Sequence, residues 1–278
     1  MRLDFITDRY GKLRISELKV GDYVLEHAED VIHQSLSEVA EQAEVSEPTV
    51  IRFCRALGFK GFQDFKIHLA QNVIPSVKSI HEAVSEGEQV PELVQKVFDS
   101  NVAAVRSTLG TLDFQAVERV VEELARAKRI VFHGFGGSAV VAMDAYHKFF
   151  RVGIPCNWYD DGHMALMAAA MMGPGDVFVA ISHSGSSRDV VQAVEVAKAA
   201  GASTLAIVSY AKSPLSKVAG RVLRVASAET GYRFEPTASR IAQLCVIDVL
   251  AVGVSLLRRD EVIANLNRTR RAVARMRY

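Results

Sequence analysis

Five short apolar runs, Arg129–Gly134, Ile154–Tyr159, Asp176–Ser182, Thr204–Ser209 and Val222–Val225, follow one another with a helix-length segment between each and the next. Runs that are apolar along their whole length suit strands covered on both faces, whereas half-exposed strands alternate. Such strands, alternating with helices, leave little choice of architecture. Parallel strands need long crossovers, the crossovers are the helices, and the result is a parallel sheet between two helical layers. Amphipathic stretches at Glu92–Leu109 and Phe114–Lys128 precede the first run, and Ala238–Leu257 resumes a helical pattern after the last.

The first seventy residues keep a different rhythm. Leu13, Leu18, Val20, Tyr23, Val24 and Leu25 lead into Val31, Leu36, Val39, Ala40 and Ala43 at helical spacing, with Gly21 as an unexpected interruption. Between the two regimes lie Pro75, Ser76, Ser79, Ser85, Gly87 and Pro91, the residues of a connecting segment. The expected organisation is an all-α domain over 1–74, a linker over 75–91 and an α/β three-layer domain with a parallel sheet over 92–278. A chain of 278 residues is long enough for two domains of unequal size.

With 49% hydrophobic and 23% charged residues, the chain has the apolar content to build sizeable cores, which excludes disorder as its main state. No run approaches the roughly 20 uninterrupted apolar residues of a membrane span, and Met1–Tyr10 is too polar for the core of a signal peptide. A cytoplasmic protein without membrane partners is expected. Cys54, Cys156 and Cys245 are odd in number, far apart and set among apolar neighbours, which suits reduced, buried thiols better than disulfides or a zinc site. No metal and no cofactor are expected.

The segment 37–46 reads as a short helix opening at Ser37, followed by a turn that ends at Ser46. There Ser46 is suited to cap a second helix, Glu47 to favour its positive end, and Pro48 to occupy its first turn, where the missing N–H does no harm. Val50, Ile51, Phe53, Cys54 and Leu57 supply an inward face. Thr49, Arg52 and Arg55 are expected to project outward, and Lys60, Lys66 and His68 to extend the polar surface. This is the chemistry of a DNA-recognition helix, whose arginines reach guanines or phosphates, with Ser46, Glu47, Thr49, Arg52, Arg55 and Lys60 as its candidate contacts. The alternative is a helical hairpin with solvated charges. Residues 1–72 hold nine Lys and Arg against twelve Asp and Glu, so binding would require the bases to cluster on one face and would weaken steeply with salt.

Two small-residue loops stand at the ends of expected strands, where open parallel sheets bind ligands. In the first, Gly134, Gly136 and Gly137 let the backbone approach an anion, and Ser138 can cap the following helix or donate to a phosphate oxygen. A dinucleotide site is the other reading of this loop. In the second, Ser182, Ser184, Ser186 and Ser187 surround Gly185 at a helix start, where hydroxyls and backbone N–H groups can hold phosphate without a metal. The alternative there is an over-capped turn. His133, His163 and His183 titrate near neutrality, yet no carboxylate stands beside them in an acid–base arrangement, so no catalytic residue is assigned. Approach of Glu229 or Glu235 from a later loop would make an aldose–ketose isomerase the rival function.

Val45–Gln71, His133–Pro155, Ile181–Asp189 and Ser239–Gly253 together resemble the RpiR-type bacterial regulators, in which a helix-turn-helix domain precedes a sugar isomerase (SIS) domain. The resemblance runs over nearly the whole chain. It implies a homodimer or tetramer that binds pseudo-palindromic operator DNA near Entner–Doudoroff and related glucose genes and is released by a sugar phosphate, 2-keto-3-deoxy-6-phosphogluconate. It further implies that Ser138, Ser182, Ser184 and Ser187 hold the phosphate or sugar, and that Thr49, Arg52 and Arg55 lie on the recognition helix. The Arg-rich stretch from Arg258 onward is expected as a solvated tail.

Overall fold

The structure is a computed structural model that describes residues 3–32, 34–73, 89–226, 238–274 and 276. Much of the linker expected over 75–91 lies outside these, as do Glu229 and Glu235. The described residues divide into two compact units, 3–100 and 101–276.

The first unit is helical: α1 (Asp4–Thr7), α2 (Ile15–Glu26), α3 (Ala28–Val31), α4 (Leu36–Gln42), α5 (Glu47–Ala56) and α6 (Phe62–Val73). The cap of helix α4 lies two residues before the expected opening at Ser37. It is Ser35, whose hydroxyl accepts the Glu38 N–H while the Glu38 carboxylate accepts the Ser35 N–H at 2.7 Å, a reciprocal pair that closes the first turn. The turn between α4 and α5 passes through Glu44 at φ 52°, and the Val45 N–H returns to the Ala40 carbonyl. Val39, Ala40, Val50, Phe53, Phe65 and Leu69 join one buried cluster. Gly21 has a packing reason: a β-carbon there would stand 3.4 Å from both Phe53 and Tyr10, so its absence lets α2 lie close against α5.

Helix α7 (Val90–Thr111) crosses from the first unit into the second, with Pro91 in its first turn. Then come α8 (Phe114–Arg126), β1 (Arg129–His133), α9 (Gly137–Val152), β2 (Cys156–Tyr159), α10 (Gly162–Ala170), β3 (Asp176–Ser182), α11 (Arg188–Ala199), β4 (Ser203–Val208), α12 (Pro214–Val218), β5 (Arg221–Arg224), α13 (Ala238–Leu257) and α14 (Arg259–Ala274). The strands form one parallel sheet in the order β2-β1-β3-β4-β5. Every residue of central β3 is buried, which is why that run shows no alternation. One sheet face presents Ile130, Phe132, Val179 and Ile207 to α8, α9 and α13; the other presents Val131, Phe178, Ala180 and Ala206 to α10, α11 and α12.

Helix α13 is long and apolar enough by composition to cross a membrane. Here it is the central helix of one layer, burying Ala242, Val246, Ile247, Leu250 and Val254 against α8 and α9. The Arg-rich end is not a solvated tail. It folds as α14, whose Asn265 donates to the Val152 carbonyl at 3.1 Å and so satisfies the C-terminus of α9 from outside that helix. Gly153, at φ 96°, makes room for it: a β-carbon there would overlap the Asn265 amide.

Candidate DNA-reading and ligand-binding sites

In the first unit, Ser46 stands before α5 in extended conformation and Pro48 in its first turn, as the spacing requires. Ser46 makes no backbone cap; its hydroxyl pairs with that of Thr49 at 3.0 Å. Thr49 corrects an expectation. It is buried, 4% exposed, and its hydroxyl accepts from Arg52 Nη2 at 2.8 Å, so it braces the arginine and does not project outward. Glu47 is tied to Ser37 on α4. Arg52, Arg55 and Lys60 are exposed.

Lys66 is a second correction. It is 7% exposed, its ammonium donates to the Gln34 carbonyl at 2.5 Å, and burial pulls its pKa down to about 8. It therefore does not extend the polar surface. His68 is half-buried against Phe5 and Phe59. The periodicity also gave no sign that the start of α2 lies beside that of α5: Arg14, Ser16 and Lys19 line one surface groove with Ser46 and Thr49.

In the second unit the strand order reverses between β1 and β3, and the two small-residue loops follow these two strands. Chains leave the sheet in opposite directions at such a point and open a crevice beyond the strand ends. The loops come close: a β-carbon on Gly134 would lie 2.8 Å from the Ile181 carbonyl oxygen. Gly136 precedes α9 at φ 53° and no side chain caps that helix, so the Ser138 hydroxyl is not used as its cap. Ser187 likewise precedes α11 without capping it by its side chain. Two long helices thus begin at these loops with first-turn N–H groups left uncapped by side chains, the arrangement in which anions bind.

The four serines of the second loop divide their work. Ser182 is buried and accepts the Gly185 N–H at 3.0 Å, while Ser186 donates to the Ser184 carbonyl at 3.3 Å; both shape the loop itself. Gly185, at φ 62°, lies so close to Ser213 that a β-carbon would collide with its hydroxyl. Its carbonyl accepts the Leu215 N–H at 2.9 Å, and the Ser209 N–H reaches the His183 carbonyl at 3.1 Å. The loop is therefore fastened to the chain that follows β4. Ser184 is exposed, and its hydroxyl accepts the Ser186 N–H at 3.3 Å.

The histidines differ among themselves. His163 is exposed at the start of α10. His133 is buried, with Nδ1 2.8 Å from the Tyr159 carbonyl, and burial lowers its pKa, so it stays neutral near pH 7. His183 places Nδ1 3.1 Å from the Ser209 hydroxyl. Among the described residues no cluster of His, Cys, Asp and Glu has the makings of a metal site. Cys54 is fully buried and its thiol is pushed up to about 12 by desolvation; Cys156 and Cys245 are only partly buried, short of the burial expected for all three.

Residues 2–76 match the helix-turn-helix domain of the rpiR family, and residues 123–253 match the SIS domain. The chain is 37% identical over 276 residues to the transcriptional regulator HexR of Escherichia coli K12, covering 99% of this chain and 95% of that protein. It is 39% identical over 254 residues to an uncharacterised helix-turn-helix-type transcriptional regulator of Caldanaerobacter subterraneus subsp. tengcongensis, covering 91% and 90%. Among solved structures, the Vibrio vulnificus NanR protein complexed with ManNAc-6P superposes with a TM-score of 0.84 at 27% identity, covering 98% of this chain and 97% of that one.

Proposed function

Because this chain belongs to the RpiR family of helix-turn-helix transcriptional regulators with a SIS domain, we propose that it represses glucose and Entner–Doudoroff genes and leaves its pseudo-palindromic operator when 2-keto-3-deoxy-6-phosphogluconate binds. It is a regulator and not an isomerase, since the relatives that match it end to end are regulators. The choice of genes and effector rests on the likeness to HexR over 99% of the chain. The observation that carries ligand sensing is the pair of loops at the reversal of strand order, each opening onto a helix with no side-chain cap. In the related NanR structure the bound molecule is a sugar phosphate.

Ser138, Ser184 and Ser187, with the first-turn N–H groups of α9 and α11, hold the phosphate in this reading. Gly134, Gly136 and Gly137 give the close approach, and Ser182, Gly185 and Ser186 keep the second loop in shape. Arg52, Arg55 and Lys60 meet the DNA, Ser46 and Thr49 support them, and Glu47 ties α5 to α4. The protein acts in the cytoplasm as a dimer or tetramer of itself, supported by the exposed Val249, Val252 and Leu256 on α13 and Ile263 on α14, an apolar set suited to a second copy. Two DNA-binding units then read half-sites about one DNA turn apart. The effector releases DNA only if it binds the operator-incompatible arrangement better than the operator-bound one. The linker expected over 75–91 carries that change.

The test is fluorescence anisotropy of labelled Entner–Doudoroff promoter DNA, titrated with protein and then with ligand. Specific binding reversed by 2-keto-3-deoxy-6-phosphogluconate, and not by glucose 6-phosphate, is the expected result. Binding that no sugar phosphate reverses would remove the effector, and absence of binding at low salt would remove the target genes.

A further inference from the structure

We propose that Glu17, on α2, is a positioning residue for DNA reading, holding the Arg52 guanidinium in the orientation that meets a base. The inference rests on the assignment of Arg52 to the DNA-contacting face. A carboxylate is normally kept in water, because a buried charge without a partner is costly. Glu17 is 5% exposed. One of its oxygens accepts the Arg14 N–H at 3.0 Å and so closes the first turn of α2. That duty needs one oxygen and no charge, since glutamine serves equally at this position of a capping box. The other oxygen faces Arg52 Nε at 3.9 Å.

Arg52 is thus bracketed from two helical turns. Glu17 lies beside Nε, and the buried Thr49 hydroxyl accepts from Nη2 at 2.8 Å, itself steadied by Ser46. Of the five N–H donors of a guanidinium, one on Nη2 is spent on Thr49 and the Nε N–H faces the Glu17 carboxylate by charge alone, which leaves the two on Nη1 and one on Nη2 directed elsewhere. The side chain is still 49% exposed, so those donors are available on the surface. An arginine fixed beforehand loses less side-chain freedom on binding, and it presents its fork in one direction, as bidentate pairing with guanine requires.

Simple electrostatics and positioning make opposite forecasts. If Glu17 acts only through its charge, Glu17→Gln removes a repulsion to DNA and tightens binding to every sequence. If it positions Arg52, Glu17→Gln weakens the specific complex and spares the non-specific one. The probes are a labelled operator selected from random-sequence DNA by the unmutated protein and poly(dI-dC) as non-specific DNA, with full-length protein throughout.

For Glu17→Gln we expect about a tenfold loss of operator affinity, no loss on poly(dI-dC), an unchanged melting temperature, and no further loss when the change is added to Arg52→Ala. Operator affinity that holds or rises overturns the proposal. So does a parallel loss on both DNAs, or an additive loss in the double variant, each of which marks a merely structural role. Unchanged operator affinity in Arg52→Ala alone would instead remove the underlying assignment of the reading face.

Discussion

At the residue scale, polar side chains that look alike in sequence do unlike work. Ser184 is exposed and, among the described residues, its hydroxyl has only the long 3.3 Å contact with the Ser186 N–H, whereas the buried Ser182 hydroxyl accepts the Gly185 N–H and Ser186 donates to the Ser184 carbonyl. Ser184→Ala is therefore expected to leave operator affinity unchanged and to raise the effector concentration needed for release about tenfold, the loss of one hydrogen bond to a charged group; anisotropy titrations measure both. A normal release curve would exclude Ser184 from the site. Lys66 gives a second prediction. Its folded pKa of about 8 lies below the ordinary 10.5, so between those values the unfolded chain binds more protons than the folded one. Stability of the first unit then rises with pH across that window, by about 1.4 kcal/mol per unit at most. Denaturant unfolding followed by far-UV circular dichroism should show the slope in the unmutated chain and its disappearance in Lys66→Met. Neither the burial of Lys66 and Thr49 nor the pairing of Glu17 with Arg52 was legible in the sequence. Helical spacing fixes which residues share a face, but a polar residue at the edge of that face is covered or left open by whichever helix crosses it.

At the scale of elements, legibility was much higher, for an equally physical reason. All five strands appear within two residues of their apolar runs, and α13 spans 238–257 as its pattern requires. Burial on both sheet faces accounts for the unbroken apolar runs of β1, β3 and β4, whereas β2 and β5, at the sheet edges, are only partly covered. The opening of α4 was misplaced because Ser35 and Ser37 are both capable caps and only Ser35 has its glutamate three residues on. The last helix was missed because α14 is rich in arginine and buries little beyond Val262. What holds it is the seam between Asn265 and the end of α9. Gly153→Ala forces a β-carbon into that seam at a positive φ and should destabilise the second unit by about 1–3 kcal/mol. Asn265→Ala, which only deletes the hydrogen bond, should cost about 1 kcal/mol. Urea midpoints read from tryptophan fluorescence measure both, and equal costs would contradict the steric account.

At the scale of the whole molecule, two compact units with separate apolar clusters predict separable unfolding. Trp158, on β2, is the sole tryptophan of the chain and reports the second unit alone. Its fluorescence and the far-UV circular dichroism signal should follow non-coincident denaturation curves, and saturating effector should move the fluorescence curve to higher denaturant while leaving the remaining helical transition in place. Superimposable curves would mean that the units unfold as one. The excess of acids in residues 1–72 adds a second global expectation. Operator affinity must come from clustered bases, so it should fall steeply with salt, its logarithm declining with the logarithm of salt concentration with a slope near the number of phosphates they neutralise.

The loop after β3 is fastened from behind, through Ser182 to Gly185 and through Gly185 to the start of α12. Its form therefore depends on the fold and not on what visits it. Around it, Phe135, Asp189 and the first turn of α10 approach one another near Gly162, outside that fastening. On the proposed reading of this loop as the phosphate site, a substitution at those rim positions would change which sugar is accepted and leave the phosphate contacts in place.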